Sequence, residues 1–124
     1  MAYLIVFLGG GLGAALRHGV NVSAARTLGT GFPFGTLTVN VVGSLAMGLL
    51  VAYFAFKGDA GQHWRLFFTT GLLGGFTTFS AFSLDAVFLY ERGQIGLAAL
   101  YVVASVAVSI AGLFAGLALV RHFS

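Results

Sequence analysis

Charged residues and cysteine are what this sequence lacks most. Only 7% of its 124 residues are charged, six of them Lys or Arg and three Asp or Glu, and it has no cysteine. A soluble domain normally carries about 25% charged residues, so too little polar surface is available to cover a globule in water. The absence of cysteine excludes disulfides, thiolate metal sites and thiol chemistry. These deficits predict a membrane protein, and the length predicts a single domain over residues 1–124.

The few basic residues stand apart from one another, although they give a net charge of +3. A nucleic-acid-binding surface needs a basic cluster, so we expect no nucleic-acid partner. Single charges at helix ends instead suit the interface of a lipid bilayer. The sequence shows no Ser–His–Asp arrangement, ligand cluster or phosphate-binding loop, so we expect no enzyme.

Long hydrophobic runs make up most of the chain. A membrane-spanning helix needs about 20 apolar residues, and four runs predict helices at about 2–25, 35–56, 66–90 and 95–121. The first is the least typical because Arg17 lies in it, and a charge at membrane depth is costly unless it faces protein or water. Several glycine pairs spaced four residues apart would let helix backbones approach closely in lipid. We therefore predict an all-α membrane protein of four closely packed helices.

The basic residues favour neither orientation in the membrane. If the N-terminus lies on side A, Lys57, Arg65 and Arg121 flank side A, and Arg17, Arg26 and Arg92 lie towards side B. The excess of positive charge that normally orients a membrane protein is therefore absent. Either a short chain balances by chance, or the chain inserts both ways and pairs as an antiparallel homodimer. Four short helices also leave little room for an internal pathway, which favours a dimer.

The third run contains a sequence that disfavours continuous helix. Gly74 and Gly75 are followed by the β-branched Thr77 and Thr78, and both residue types have low helix propensity. We predict a break near the middle of this helix. A break would free backbone carbonyls, which need partners where there is no water, and carbonyls of interrupted membrane helices commonly hold Na⁺. The alternative is a glycine pair that only packs against a neighbouring helix.

Two phenylalanines follow the predicted break. Phe79 and Phe82 are three residues apart and share a helix face. The edge of an aromatic ring is electropositive, so two edges directed at one spot could favour a small anion without a full positive charge. Phenylalanines that face lipid or fill the core are the plainer explanation.

Polar side chains also recur inside the hydrophobic runs. Asn40 and Ser44 share a face of the second helix, and Tyr101, Ser105 and Ser109 recur every four residues along the fourth. The second set forms a stripe about 12 Å long. Amide and hydroxyl donors in a row could replace the water shell of an anion. The plainer alternative for the serines is a hydrogen bond back to their own helix carbonyls.

At these residues the chain resembles the CrcB/Fluc family of fluoride channels, over essentially its whole length. The resemblance rests on the Ser105/Ser109 stripe and on the segments GGLGAALR at 10–17, GTLTVNVVG at 35–43 and GGFTTFSAF at 74–82. Asp85 stands where the family usually has Glu. The resemblance implies an antiparallel, dual-topology homodimer in the bacterial inner membrane, with two pores through which fluoride leaves the cytoplasm passively.

The resemblance also implies roles for individual residues along each pore. Phe79 and Phe82 would form an aromatic box around fluoride. Asn40 would orient these rings and line the pore together with Ser80 and Ser109. Tyr101 and Ser105 would lie nearer a vestibule.

A structural Na⁺ at the centre of the dimer is a further implication of the resemblance. The main-chain carbonyls of Gly74 and Thr77 from both subunits would hold this ion. Arg17 matches the arginine that the family has in its first span. Its implied role is in vestibule electrostatics or in pairing.

Two other functions suit a chain of four short hydrophobic helices. Small multidrug exporters also work as antiparallel dimers, but they carry a membrane-embedded Glu in the first helix, and residues 2–16 contain no acidic residue. An assembly or scaffold subunit would explain the glycine pairs but not Asn40, the broken helix and the paired Phe together. A proton-coupled transporter would need a carboxylate near the centre of a span. The only acidic residue within a predicted span is Asp85, which lies near the end of the third.

Overall fold

Four long helices make up the computed structural model, which describes residues 1–57 and 61–123 without the side chain of Lys57. Span 1 is Ala2–Leu28, span 2 is Phe34–Lys57, span 3 covers Gln62–Glu91 and span 4 is Ile95–Phe123. All four are long and apolar enough to cross a membrane. The prediction of an all-α protein with four membrane-spanning helices is thereby confirmed. The Lys57 side chain, counted above in the charge balance, and residues 58–60 of the following connection lie outside the description.

The helices extend beyond the hydrophobic runs at several ends. Span 1 continues through Arg26 to Leu28, and span 3 begins at Gln62. A hydrophobic run reflects the thickness of the hydrocarbon layer, whereas a helix continues until its backbone hydrogen bonds stop. Gly29, with φ of 81°, ends span 1 in a conformation that favours glycine.

Glycines bring spans 1 and 3 into backbone contact. A Cβ atom added to Gly9 would lie 2.8 Å from the carbonyl oxygen of Phe67, and one added to Gly13 would lie 2.8 Å from the amide nitrogen of Phe76. Both distances are too short for a real methyl group. Helices in lipid gain most of their attraction from such close packing, so these glycines fix how spans 1 and 3 meet.

Glycines hold spans 2 and 4 together in the same way. A Cβ atom on Gly116 would lie 2.7 Å from the Leu49 amide nitrogen, and one on Gly48 would lie 3.0 Å from the Leu117 amide nitrogen. The four spans therefore form two tightly packed pairs.

Span 4 folds back after a turn and packs against the second half of span 3. A tight turn joins them: the Gly93 N–H donates to the Tyr90 carbonyl at 3.0 Å, and the Gln94 N–H donates to the Leu89 carbonyl at 3.0 Å. This is the Schellman pattern, which requires the positive φ of 81° found at Gly93. Beneath the turn lies a buried cluster whose members are Phe82, Leu89, Ala98 and Tyr101.

Span 3 is irregular, as its sequence predicted. Residues Leu66–Leu73 form π-helical turns, Gly74–Phe76 return to α-helix, and a second helix begins at Phe79. Wide π-type turns are rare and often occur at functional sites. The interruption lies at Thr77 and Thr78, one residue after the glycine pair.

Candidate functional site

The break in span 3 is a short extended segment. Thr77 has φ −85° and ψ 160°, and Thr78 has φ −153° and ψ 123°. β-Branched residues favour such extended conformations. The Thr78 hydroxyl accepts a hydrogen bond from the Ala81 N–H at 3.2 Å and so caps the helix that follows. The two threonines thus both interrupt the span and start its second half.

Asn40 of span 2 completes the hydrogen bonding of the break. The Thr78 N–H donates to Asn40 Oδ1 at 2.8 Å, and Asn40 Nδ2 donates to the Thr78 carbonyl at 3.0 Å. The amide side chain thereby satisfies both backbone groups of one extended residue inside the bundle. One N–H of the Asn40 amide is not used by these two bonds and is available to a ligand.

Arg17 of span 1 meets the break at its neighbouring residue. Its Nη1 donates to the Thr77 carbonyl at 3.3 Å, and the side chain is half-buried. Arg17 and Asn40, from two different helices, therefore both bind the Thr77–Thr78 peptide group, and Asn40 also binds the carbonyl of the next one.

The carbonyls of Gly74 and Thr77 have the chemistry expected of cation ligands. In an uninterrupted helix they would accept from the N–H groups of Thr78 and Ala81, but those donors are directed to Asn40 and to the Thr78 hydroxyl instead. Carbonyls released in this way suit Na⁺. The residues present therefore fit the implied ion, and the Arg17 guanidinium donates to one of these two oxygens, that of Thr77.

A cavity of about 420 Å³ opens beside the break. No charged side chain lines it within the part of the chain that the structure describes. The rings of Phe79 and Phe82 stand on its wall with centroids 5.4 Å apart and planes inclined at 52°. The remaining polar side chains of the lining are Asn40, Ser44, Thr77, Thr78, Ser105 and Ser109.

Two serine hydroxyls in this cavity are buried without a hydrogen-bond partner. Neither Ser105 Oγ nor Ser109 Oγ meets a donor or acceptor among residues 1–57 and 61–123. The alternative of a bond back to their own helix is therefore not what the structure shows. A buried polar group left unpaired costs about 1–3 kcal/mol, so both hydroxyls are available to a ligand in the cavity.

A second cavity, of about 620 Å³, is lined by residues of spans 1, 2 and 3. The Tyr101 ring is fully buried and packs against Phe82 with centroids 5.2 Å apart. Its hydroxyl donates to Asp85 Oδ2 at 3.2 Å, and Asp85 and Thr36 line the larger cavity. Tyr101 thus contacts one lining residue of each cavity, Phe82 of the smaller and Asp85 of the larger.

Comparison of the sequence with known proteins shows the family to which this chain belongs. A family model described as "CrcB-like protein, Camphor Resistance (CrcB)" matches residues 4–117. The chain belongs to the CrcB-like family. It is 64% identical to "Fluoride-specific ion channel FluC 2" of Nitrobacter hamburgensis over the full length of both chains. It is 68% identical to "Fluoride-specific ion channel FluC" of Rhodopseudomonas palustris strain BisB5 over 98% of each chain.

A third relative of the same printed name, from Methylobacterium nodulans, is 62% identical over 97% of this chain and 96% of its own. These matches confirm the resemblance drawn from the sequence motifs. They also confirm that this CrcB-like chain is a multi-pass membrane protein and not an enzyme.

The structure brings together most of the residues predicted for the pathway of this CrcB-like protein. Asn40, Phe79, Phe82, Ser105 and Ser109 all line the smaller cavity. Ser80 and Tyr101 lie outside that lining. Ser80 is exposed, with its Oγ 3.3 Å from the Thr78 hydroxyl, and Tyr101 stands behind Phe82.

Sequence reasoning missed three contributors to the site. Thr78 received no role beyond helix breaking, yet its backbone and hydroxyl organise the break. Asp85 and Thr36 were given no role, yet both line the larger cavity. The position of Thr36 one turn before Asn40 was a usable signal, because residues four apart share a helix face.

Proposed function

We propose that this chain is a fluoride-selective channel that lets fluoride leave the cytoplasm passively and so lowers its internal concentration. The observation that carries the proposal is the smaller cavity. An amide, a pair of aromatic rings and two serine hydroxyls without a partner among the described residues converge there, and the lining that the structure describes has no charged side chain. The printed names of the relatives support the choice of fluoride as the anion.

The chemistry of the lining suits an ion that must pass through. The spare Asn40 N–H and the Ser105 and Ser109 hydroxyls offer donors in place of water, and the ring edges of Phe79 and Phe82 add weak positive potential. A full positive charge on this path would hold the anion too tightly, whereas conduction needs binding that is weak enough for release. Tyr101 and Ser80 act at the margins of this path in our proposal.

The proposal includes an antiparallel dimer with two pores. Phe79, one of the two proposed ring ligands, is 76% exposed in the single chain. An ion at its edge would face lipid unless another surface covers it, and a second copy is the covering surface that the balanced basic residues favour. Each pore would then be completed by the second copy.

A structural Na⁺ is part of the same proposal. The carbonyls of Gly74 and Thr77 in both copies would hold it, because their helical donors are directed elsewhere. When bound, Na⁺ supplies a positive charge that stabilises the partial negative charges of these carbonyl oxygens where the two copies meet.

The small multidrug exporter loses its support as an alternative, because the chain belongs to the CrcB-like family.

Fluoride efflux from liposomes tests the channel. Purified dimer is reconstituted with potassium fluoride inside, the potassium gradient is released with valinomycin, and external fluoride is recorded with an electrode. Parallel liposomes with chloride give the comparison. Rapid fluoride release with little chloride release is expected, and no release from well-folded, reconstituted dimer would refute the proposal.

Cysteine labelling tests the dual orientation, because the natural chain has no cysteine to interfere. Gln94 lies exposed in the turn between spans 3 and 4, so Gln94→Cys places one thiol at one end of the bundle. Insertion in both orientations predicts that an impermeant maleimide labels roughly half of the protein from outside in cells, and the rest only after lysis. Labelling of nearly all or nearly none from outside would show a single orientation.

A further inference from the structure

Among the residues that the structure describes, Arg17 is the one charged side chain that forms a hydrogen bond with the break of span 3. It lies one helical turn after Gly13, which packs on the backbone of span 3 beside Phe76. That backbone contact brings the next turn of span 1 alongside Thr77, and Arg17 Nη1 donates to the Thr77 carbonyl at 3.3 Å. The glycine packing thus determines where the guanidinium lies.

The partner of Arg17 is a neutral carbonyl. A guanidinium carries five N–H donors and keeps its charge at all accessible pH values. Charged residues at membrane depth usually pair with another charge or with backbone carbonyls, and they mark functional positions. Arg17 is paired in the second way, so its positive charge is not neutralised by this contact.

The Thr77 carbonyl has lost its helical donor. The Ala81 N–H, which would supply that bond in a continuous helix, donates to the Thr78 hydroxyl at 3.2 Å. Arg17 takes the place of this N–H at the Thr77 oxygen. Asn40 binds the N–H of this same Thr77–Thr78 peptide group and the carbonyl of the next one. The extended conformation of the break therefore depends on one side chain from span 1 and one from span 2.

We propose that Arg17 is a positioning residue for the break and that its guanidinium competes with Na⁺ for the Thr77 carbonyl, which lowers the affinity of the site for the cation. This inference rests on the proposed function only in taking Na⁺ as the ion. Two positive charges at one carbonyl repel each other strongly where the dielectric is low. Arg17 therefore holds the carbonyl in place when the cation is absent and must shift or share the oxygen when the cation binds.

A sodium titration of stability tests this competition. The apparent unfolding temperature of purified wild type, Arg17→Gln and Arg17→Lys is measured against Na⁺ concentration, with choline keeping the ionic strength constant. Arg26→Gln is the matched control, because Arg26 is an exposed arginine later in span 1. Arg17→Gln is expected to reach half of its stabilisation at an Na⁺ concentration at least about tenfold lower than wild type, as loss of an adjacent positive charge requires. Arg26→Gln should leave this midpoint unchanged.

The lysine variant keeps the test decisive if Arg17→Gln does not fold. Lysine retains the charge but loses the planar fork of donors, so its midpoint should lie below that of the wild type. A merely structural role would lower the unfolding temperature without moving the midpoint. An unchanged or higher midpoint in the variants, or an equal shift in Arg26→Gln, would overturn the inference.

Fluoride efflux measured on the same samples separates this inference from the proposed function. Absence of efflux from the wild type would refute the channel but would leave the sodium competition readable in the titration. Normal wild-type efflux without any sodium-dependent stability would instead overturn the competition and the proposed Na⁺ site, and would leave the channel itself standing.

Discussion

Replacing Asn40 by Asp separates the two roles that the structure gives to this side chain. The aspartate keeps an oxygen that can accept from the Thr78 N–H, as Oδ1 does now at 2.8 Å. It loses the Nδ2 donor, so the Thr78 carbonyl, now 3.0 Å from Nδ2, faces an oxygen instead. It also adds a negative charge to a cavity whose described lining has none.

The expected magnitudes follow from these contacts. A buried acceptor without a donor costs about 1–3 kcal/mol, so Asn40→Asp should lower the free energy of unfolding by about that amount. A carboxylate and a fluoride ion about 5 Å apart repel by about 3 kcal/mol at an effective dielectric constant of about 20. This repulsion corresponds to a flux roughly a hundredfold lower.

Asn40→Ala is the informative comparison because it has no charge and loses both hydrogen bonds. It should lower the free energy of unfolding by about 1–3 kcal/mol for each unpaired backbone group, yet should conduct better per folded dimer than Asn40→Asp. Both variants are compared by fluoride efflux from liposomes and by thermal unfolding in detergent. Equal flux in the two variants would show that charge repulsion is not the cause, and wild-type flux in Asn40→Asp would place Asn40 outside the pathway.

Three further sets of substitutions test the cavity and the helix packing. Phe82→Ile removes a ring that contacts two other aromatic rings. It should lower fluoride flux at least about tenfold while size-exclusion chromatography still shows the dimer. Unchanged flux would refute the proposal that ring edges bind the anion. Ser105→Ala and Ser109→Ala should each lower flux about tenfold without loss of thermal stability, because these hydroxyls have no partner among the described residues; a marked loss of stability would show that they are structural. Gly13→Ala should lower the free energy of unfolding by about 1–3 kcal/mol or more, because the added methyl group would overlap with the backbone of span 3. Gly11→Ala is the control and should leave the stability unchanged, because the added Cβ would have nothing within 4 Å. Equal effects of the two substitutions would refute the packing argument.

The number and type of the helices followed from the sequence because they depend on local composition. Four uncharged or nearly uncharged runs of sufficient length predict four spans whatever their arrangement. The break in span 3 was also predictable, since Gly74–Gly75 followed by Thr77 and Thr78 is a local conflict with helix propensity. The helix ends were less predictable, because polar residues such as Arg26 can continue a helix outside the hydrocarbon layer.

The site was predictable as a set of residue types but not as a set of contacts. Helical spacing placed Ser105 with Ser109 and Phe79 with Phe82, and the structure brings both pairs to one cavity. Spacing along one helix also grouped Tyr101 with the serines. The structure buries its ring against Phe82 and directs its hydroxyl to Asp85, because the turn after span 3 folds the second half of that span onto span 4.

The sequence by itself determined the membrane environment, the four spans and the point at which span 3 is interrupted, because each depends on neighbouring residues. Only the tertiary structure decided what stabilises the interruption. Arg17 and Thr77 are 60 residues apart, and Asn40 and Thr78 are 38 apart. No local pattern specifies which distant side chain will satisfy a freed peptide group. That choice follows from the glycine contacts that set how the helices pack, and so from the fold as a whole.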